Sequence, residues 1–276
     1  MAKKSKAVAK KETAGNPALL DELHDLGYTG MEDVDESLLQ IPFLKIAQPT
    51  TSQAQKGSPV YIPGLEPGMF YSSVSGKVYG KKVQVIFFGF SHSFLEWNEE
   101  DSTLEARYMP DEVQKMLDTG AMKKDGLKLT KDGKKISENY VMYTAVAGSF
   151  QDKILLLPFK STGIKHFKKI IGKTYAEMMP DKNGKAMQAP IFYNVWEMGT
   201  VLNTNDKGQS WYLIGDKGNV SVKKLGNIET EFKKISGDVL SMARFVKELK
   251  TREREFDLSE VAASEKDVSQ ENPFAD

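Results

Sequence analysis

From Tyr61 onward the run of apolar, β-branched and aromatic positions becomes dense, and the strands follow from it. Two short runs in Gly68–Gly80 flank a Ser-Gly-Lys turn. Lys82–Phe90 is then a β-branched and aromatic strand, which Ser93–Trp97 continues. Pro110 opens a short helix with Val113, Met116 and Leu117 on one face and Gly120 as its stop. Asp125-Gly126 and Asp132-Gly133 bracket Leu127–Thr130, the signature of a small projecting hairpin. Tyr140–Val146 and Lys153–Leu157 are further strands. Ile164, Phe167 and Ile171 then mark one side of a helix closed by Gly172. Ile191–Leu202 and Gln209–Gly215 form a hairpin, and Val239, Met242, Val246 and Leu249 an amphipathic helix over 236–253. Upstream, Leu38–Ile46 reads as a buried or edge strand, and a short helix is expected over Pro17–Leu26. Many short strands and few helices imply a mainly-β or α+β core.

Composition bounds this picture. Hydrophobic residues make up 40% of the 276, enough for a sizeable core with polar ends. No apolar run reaches the 18 or so residues of a membrane span, and the start Met1–Lys6 lacks an apolar signal region. Cysteine is absent, which removes disulfides, thiolate metal sites and cysteine nucleophiles. A cytoplasmic protein with no membrane partner is expected.

The net charge of zero is a cancellation. Lys3, Lys4, Lys6, Lys10 and Lys11 face only Glu12, whereas seven acids from Glu255 to Asp276 face only Lys266. Such asymmetry points to a polyanion partner, a basic partner, or both. The chain therefore divides into a basic arm and linker (1–35), a core (36–253) and an acidic tail (254–276), with both termini expected to be disordered.

Catalytic chemistry finds little support. His24, His92 and His166 are isolated, and neither phosphate-binding glycine motif occurs. Glu96, Glu99, Glu100 and Asp101 form the densest internal acidic cluster, read as a solvated loop before a cation site. No enzyme, cofactor or metal is expected.

Nucleic-acid chemistry is better supplied. Lys165, Lys168 and Lys169 share a face of the helix that starts near Ile164, and Lys160, Ser161 and Thr162 precede its N-terminus, where free N–H groups favour a phosphate. A solvated lysine face with Ser161 or Thr162 as a plain N-cap has the same pattern. Lys123, Lys124, Lys128, Lys131, Lys134 and Lys135 form a second basic patch. Phe192, Tyr193, Trp196, Trp211 and Tyr212, with Lys207 in the turn, supply rings for base stacking. Strand alternation sends about half of those rings into the core. The acidic end closes on Glu271-Asn272-Pro273-Phe274-Ala275-Asp276, a compact docking peptide.

The Asn272-Pro273-Phe274 tail, the Trp196–Tyr212 hairpin with its Asn-x-Lys-Gly turn, and the Lys-Ser-Thr-Gly-Ile-Lys run together resemble phage single-stranded DNA-binding proteins. The resemblance covers about a fifth of the chain, and Ala275-Asp276 beyond the Phe depart from it. It implies an OB-like β-barrel core and cooperative, sequence-independent binding of single-stranded DNA in replication or recombination. It also implies that Pro273, Phe274 and Asp276 contact phage or host replication proteins such as a polymerase or helicase/primase, and it leaves a homo-oligomer open. Two readings stay beside it: a viral structural or assembly protein with a β-rich core, and an accessory factor for a polymerase or recombinase.

Overall fold

Lys82–Phe90 and Ser93–Trp97 join into one 16-residue strand, β4 (Lys82–Trp97). The computed structural model describes residues 41–98, 103–126, 128–149, 154–215 and 222–251. The chain divides at Gln40/Ile41, and every described residue belongs to the second unit. The basic arm, the helix expected at Pro17–Leu26, Glu99–Asp101 and the acidic tail lie outside the described residues.

The first half of β4 is apolar almost throughout because both of its faces are covered. Val83, Val85 and Phe87 enter one core cluster, Ile86 and Phe88 the other. Its register against β8 (Lys134–Val146) slips between Phe87 and Gly89, a β-bulge that resets the alternation. Beyond it, Phe90, His92 and Phe94 share one face, and Ser91, Ser93 and Leu95 the other.

β8 is entered from β7 (Lys128–Lys131) through a two-residue turn, with Asp132 at φ 51° and Gly133 at φ 84°. Two positive φ values are what a tight hairpin with native twist requires, so the Asp-Gly signal finds its turn. β6 (Lys123–Asp125) completes the projecting hairpin. β9 (Leu155–Lys160) pairs with β8 along the same edge as β7, the one away from β4, and β5 (Leu104–Tyr108) with the end of β4. The start of β4 pairs with β12 (Asn194–Thr204), which also carries β13 (Ser210–Ile214) and β14 (Lys223–Asn227). These nine strands form one sheet curled into a half-barrel, an OB-like β core with three short helices among the described residues. Two small sheets flank it: β1 (Leu44–Ile46) with β2 (Phe70–Ser72) and β3 (Val78–Gly80), and β10 (Met178–Pro180) with β11 (Ala186–Gln188).

Helix α1 (Pro110–Asp118) starts at its proline, and Glu112 reaches back to accept the Met109 N–H at 2.7 Å. Its Val113 packs with Met122, Leu129 and Ile136. Helix α2 (Ile164–Tyr175) does not stop at Gly172 as the pattern predicts. Thr174 is buried and continues the stripe of Phe167, Ile170 and Ile171, so packing carries the helix one turn past the glycine. Helix α3 (Ser236–Thr251) lays Val239, Met242 and Val246 on the opposite sheet face, with Ile86, Phe88, Val141 and Tyr143. Full burial of side chains such as Phe167 and Ile170 stabilises by about 1.5–3 kcal/mol each.

The β12–β13 hairpin is held at its base from the β1–β2 region. Gln48 accepts the Tyr212 N–H at Oε1 (2.8 Å) and donates from Nε2 to the Tyr212 carbonyl (3.1 Å). Thr200 donates its hydroxyl to the Gly68 carbonyl at 2.6 Å. A Cβ on Gly68, at φ +85°, would lie 2.5 Å from the Tyr212 ring, so only glycine fits there.

Candidate functional site

Helix α2 presents Lys165, Lys168 and Lys169 to solvent because the apolar stripe of Ile164, Phe167 and Ile170 turns the other way. Before it, Ser161–Gly163 make a 3-10 turn, Ser161 at φ 44°. The residue at the N-cap of α2 is Gly163, with no side-chain cap, so neither Ser161 nor Thr162 fills the N-cap role. Both are exposed. Lys160 ends β9 on the far side of the sheet from Phe159 and holds its ammonium 5.4 Å from the Trp97 ring centre.

Phe167 anchors α2 on an aromatic strip. Its ring stacks on Tyr140 at 4.3 Å and meets Phe90 edge-on at 5.1 Å. Tyr140 in turn stacks on His92, 4.1 Å away and 10° from parallel, and His92 leans on Phe94 at 4.9 Å. The cross-strand pairs Tyr140–His92 and Glu138–Phe94 place all four side chains on one face. Glu138 Oε1 accepts the Tyr140 hydroxyl at 2.8 Å and lies 3.1 Å from His92 Nε2. His92, Phe94 and Phe90 are half-buried, Tyr140 is buried, and Phe94 packs against the α1 cluster at the other end of the strip.

Burial holds the His92 pKa below its ordinary value. Glu138 pulls it back up, and the charge of Lys168 pushes it down again, which puts that lysine within electrostatic reach of the strip. His166 is lowered too, by burial and then by Lys165 and Lys169, and neither of its ring nitrogens has a protein hydrogen bond. Burial, followed by the bond to Glu138, raises the Tyr140 phenol, so it stays protonated and donates.

Trp196 is 2% exposed, inside the core with Val85 and Met198, so its indole is not a stacking surface; the strand register that pairs Trp196 with Val85 turns it inward. Tyr193 lies in a 3-10 turn (Ile191–Tyr193) ahead of β12, not on the strand, and donates its hydroxyl to Glu229 at 3.0 Å. Trp211 and Tyr212 are half-buried on β13, and Tyr212 rests on Gly68. Lys207 is exposed in a turn where Asn205 Oδ1 accepts the Lys207 and Gln209 N–H groups at 3.1 and 2.9 Å. In sheet order β12 and β4 stand between β13 and β8, so the hairpin rings and the α2 lysines occupy different parts of the sheet. Within the projecting hairpin, Lys131 and Lys134 are engaged by Glu96, and Lys134 also by Glu105. Lys123, Lys124, Lys128 and Lys135 are exposed. Pro273, Phe274 and Asp276 lie outside the described residues.

Glu96 is buried and takes the Tyr108 hydroxyl as well as both lysines. Among the described residues no group of three or more His, Asp or Glu is disposed to hold a metal ion. Nor is any helix there long and apolar enough to cross a membrane.

Residue patterns did not single out His92, Phe94, Glu138 and Tyr140. The signal was present: three rings at i, i+2 and i+4 in Phe90-Ser91-His92-Ser93-Phe94 must share one strand face.

The chain matches no curated protein and no solved structure. The family model described as Pam3 phage gp34-like protein matches residues 8–236, which takes in the strip, α2 and the whole of the sheet. The chain therefore belongs to the Pam3 phage gp34-like protein family.

Proposed function

We propose that this phage protein binds single-stranded DNA, without strict sequence requirement, in replication or recombination. The observation that carries the reading is the adjacency of two chemistries: the exposed lysines of α2, and the partly exposed rings of His92 and Phe94 on the strip that α2 is anchored to. Phosphates are met by ammonium groups and bases by ring faces, the pairing a single-strand binder uses. A duplex keeps its bases stacked on one another and offers the strip no ring face. In this reading the acidic end, with Pro273, Phe274 and Asp276, is the part that meets replication proteins, supported by its charge and its single Pro-Phe pair.

The test replaces Lys165, Lys168 and Lys169 together by Ala and follows a fluorescent oligonucleotide across salt concentrations. Binding weakens for every sequence, and the log–log salt slope becomes shallower by about 2, at roughly 0.7 per lost phosphate contact on a single strand. Unchanged affinity and slope in a folded triple variant would return α2 to a solvated face. Absence of single-strand binding by the intact protein would end the proposal.

A further inference from the structure

We propose that Glu138 reads bases, favouring those that carry an exocyclic amino group over thymine; the inference rests on the single-strand reading above. Two bonds fix the carboxylate in place, and both fall on one oxygen: Oε1 takes the Tyr140 hydroxyl and faces His92 Nε2. Among the described residues nothing bonds Oε2. The side chain is 34% exposed, so the carboxylate is held rigidly and still reached from solvent.

Its surroundings are those of a base site. Glu138 stands directly across from Phe94, and the neighbouring pair sets Tyr140 against His92. A base lying on the Phe94 or His92 ring brings its hydrogen-bonding edge to Oε2. A carboxylate accepts and never donates, so it attracts an N–H edge and repels carbonyls and phosphates. Lys168, near enough to His92 for its charge to be felt there, supplies the phosphate attraction that Glu138 denies. A negative group within a phosphate-binding surface costs affinity for the backbone. The compensation is selectivity at the base edge, where acidic side chains accept from the cytosine amino group.

Cytosine and thymine separate this from stacking, because their rings are alike in size. Cytosine offers a free amino group, whereas the N3–H of thymine lies between two carbonyls whose lone pairs oppose the carboxylate. The experiment titrates oligo(dC) and oligo(dT) of equal length against the full chain at mildly alkaline pH, then repeats both with Glu138→Gln. Wild type binds oligo(dC) about tenfold more tightly, the worth of one hydrogen bond to a charged group. The glutamine keeps an oxygen for Tyr140 and puts an NH2 donor in place of Oε2, so the preference vanishes or turns towards oligo(dT). Equal wild-type binding of the two oligomers would overturn the inference alone, as would a Glu138→Gln variant that shifts both equally. Failure to bind either would overturn the single-strand reading and this one with it.

Discussion

At neighbouring positions the same two strands carry opposite polar chemistry on their two faces. On the face that bears α2, the polar atoms of His92, Glu138 and Tyr140 answer one another. One residue along, Ser93 and Asn139 pair across the strands and point the other way, 1% and 0% exposed. There the Ser93 hydroxyl and both amide atoms of Asn139 have no protein partner, and neither has the nearby Trp97 indole N–H. An unpaired buried polar group costs about 1–3 kcal/mol, whereas a made bond to a charged group contributes about 1.5–3. At these positions the open face is organised by its polar groups, whereas Ser93 and Asn139 are held on the closed face by packing alone. A network is needed where side chains must hold one geometry in water. Beneath packed helices, geometry is already set by the apolar neighbours.

The largest blow to this contrast is removal of the ring that ties α2 to the open face. Phe167→Ala should cost about 3–5 kcal/mol, read as a lowered urea midpoint with an unchanged slope. A loss under about 1 kcal/mol would mean that the stack contributes little to holding the helix.

Next in size is a pair of opposed changes on β8. Tyr140→Phe deletes the bond to Glu138 and should destabilise by about 2 kcal/mol, while Asn139→Val removes two unpaired atoms with little change in volume and should stabilise by about 1–2 kcal/mol. Adjacent residues would then shift stability with opposite signs. If both variants lose stability, Asn139 is paired in solution and the two faces are alike.

The smallest effect is the response to pH. His92 and His166 both have folded-state pKa values below the ordinary 6.5. Beneath pH 6.5 the unfolded chain therefore binds more protons than the folded one, and stability falls with acidification; above it the penalty is absent. Thermal unfolding between pH 7.5 and 5.5 should show a declining Tm, less steep when both histidines are replaced by Gln. A flat wild-type profile would contradict the burial of these rings.

Much of the architecture was legible where local chemistry decides it. Asp132-Gly133 gave its turn because few dipeptides accept two positive φ values, and Pro110 and Gly120 bounded α1 for reasons equally local. Gly172 misled, since helix termination there is decided by the burial of Thr174, a tertiary fact. The candidate site was half legible. Exposure of Lys165, Lys168 and Lys169 follows from helical period alone. Alternation could say that some rings of the 192–212 group turn inward, but not that Trp196 is one of them. That depends on which face of β12 meets β4. The partnership of His92 with Tyr140 joins residues 48 apart, and only the register of two strands reveals it.

The Gln48 clamp on Tyr212 has a consequence for self-association. A side-chain carboxamide that accepts and donates in parallel imitates a peptide group, so Gln48 acts as a one-residue strand laid against β13. Tyr212 is the middle residue of that five-residue strand, and alternation leaves no more than one outward-facing residue on either side of it. A second chain arriving edge-on would find the central donor and acceptor already taken. The rim at β13 is thereby blunted, at its middle residue, against the addition of another strand.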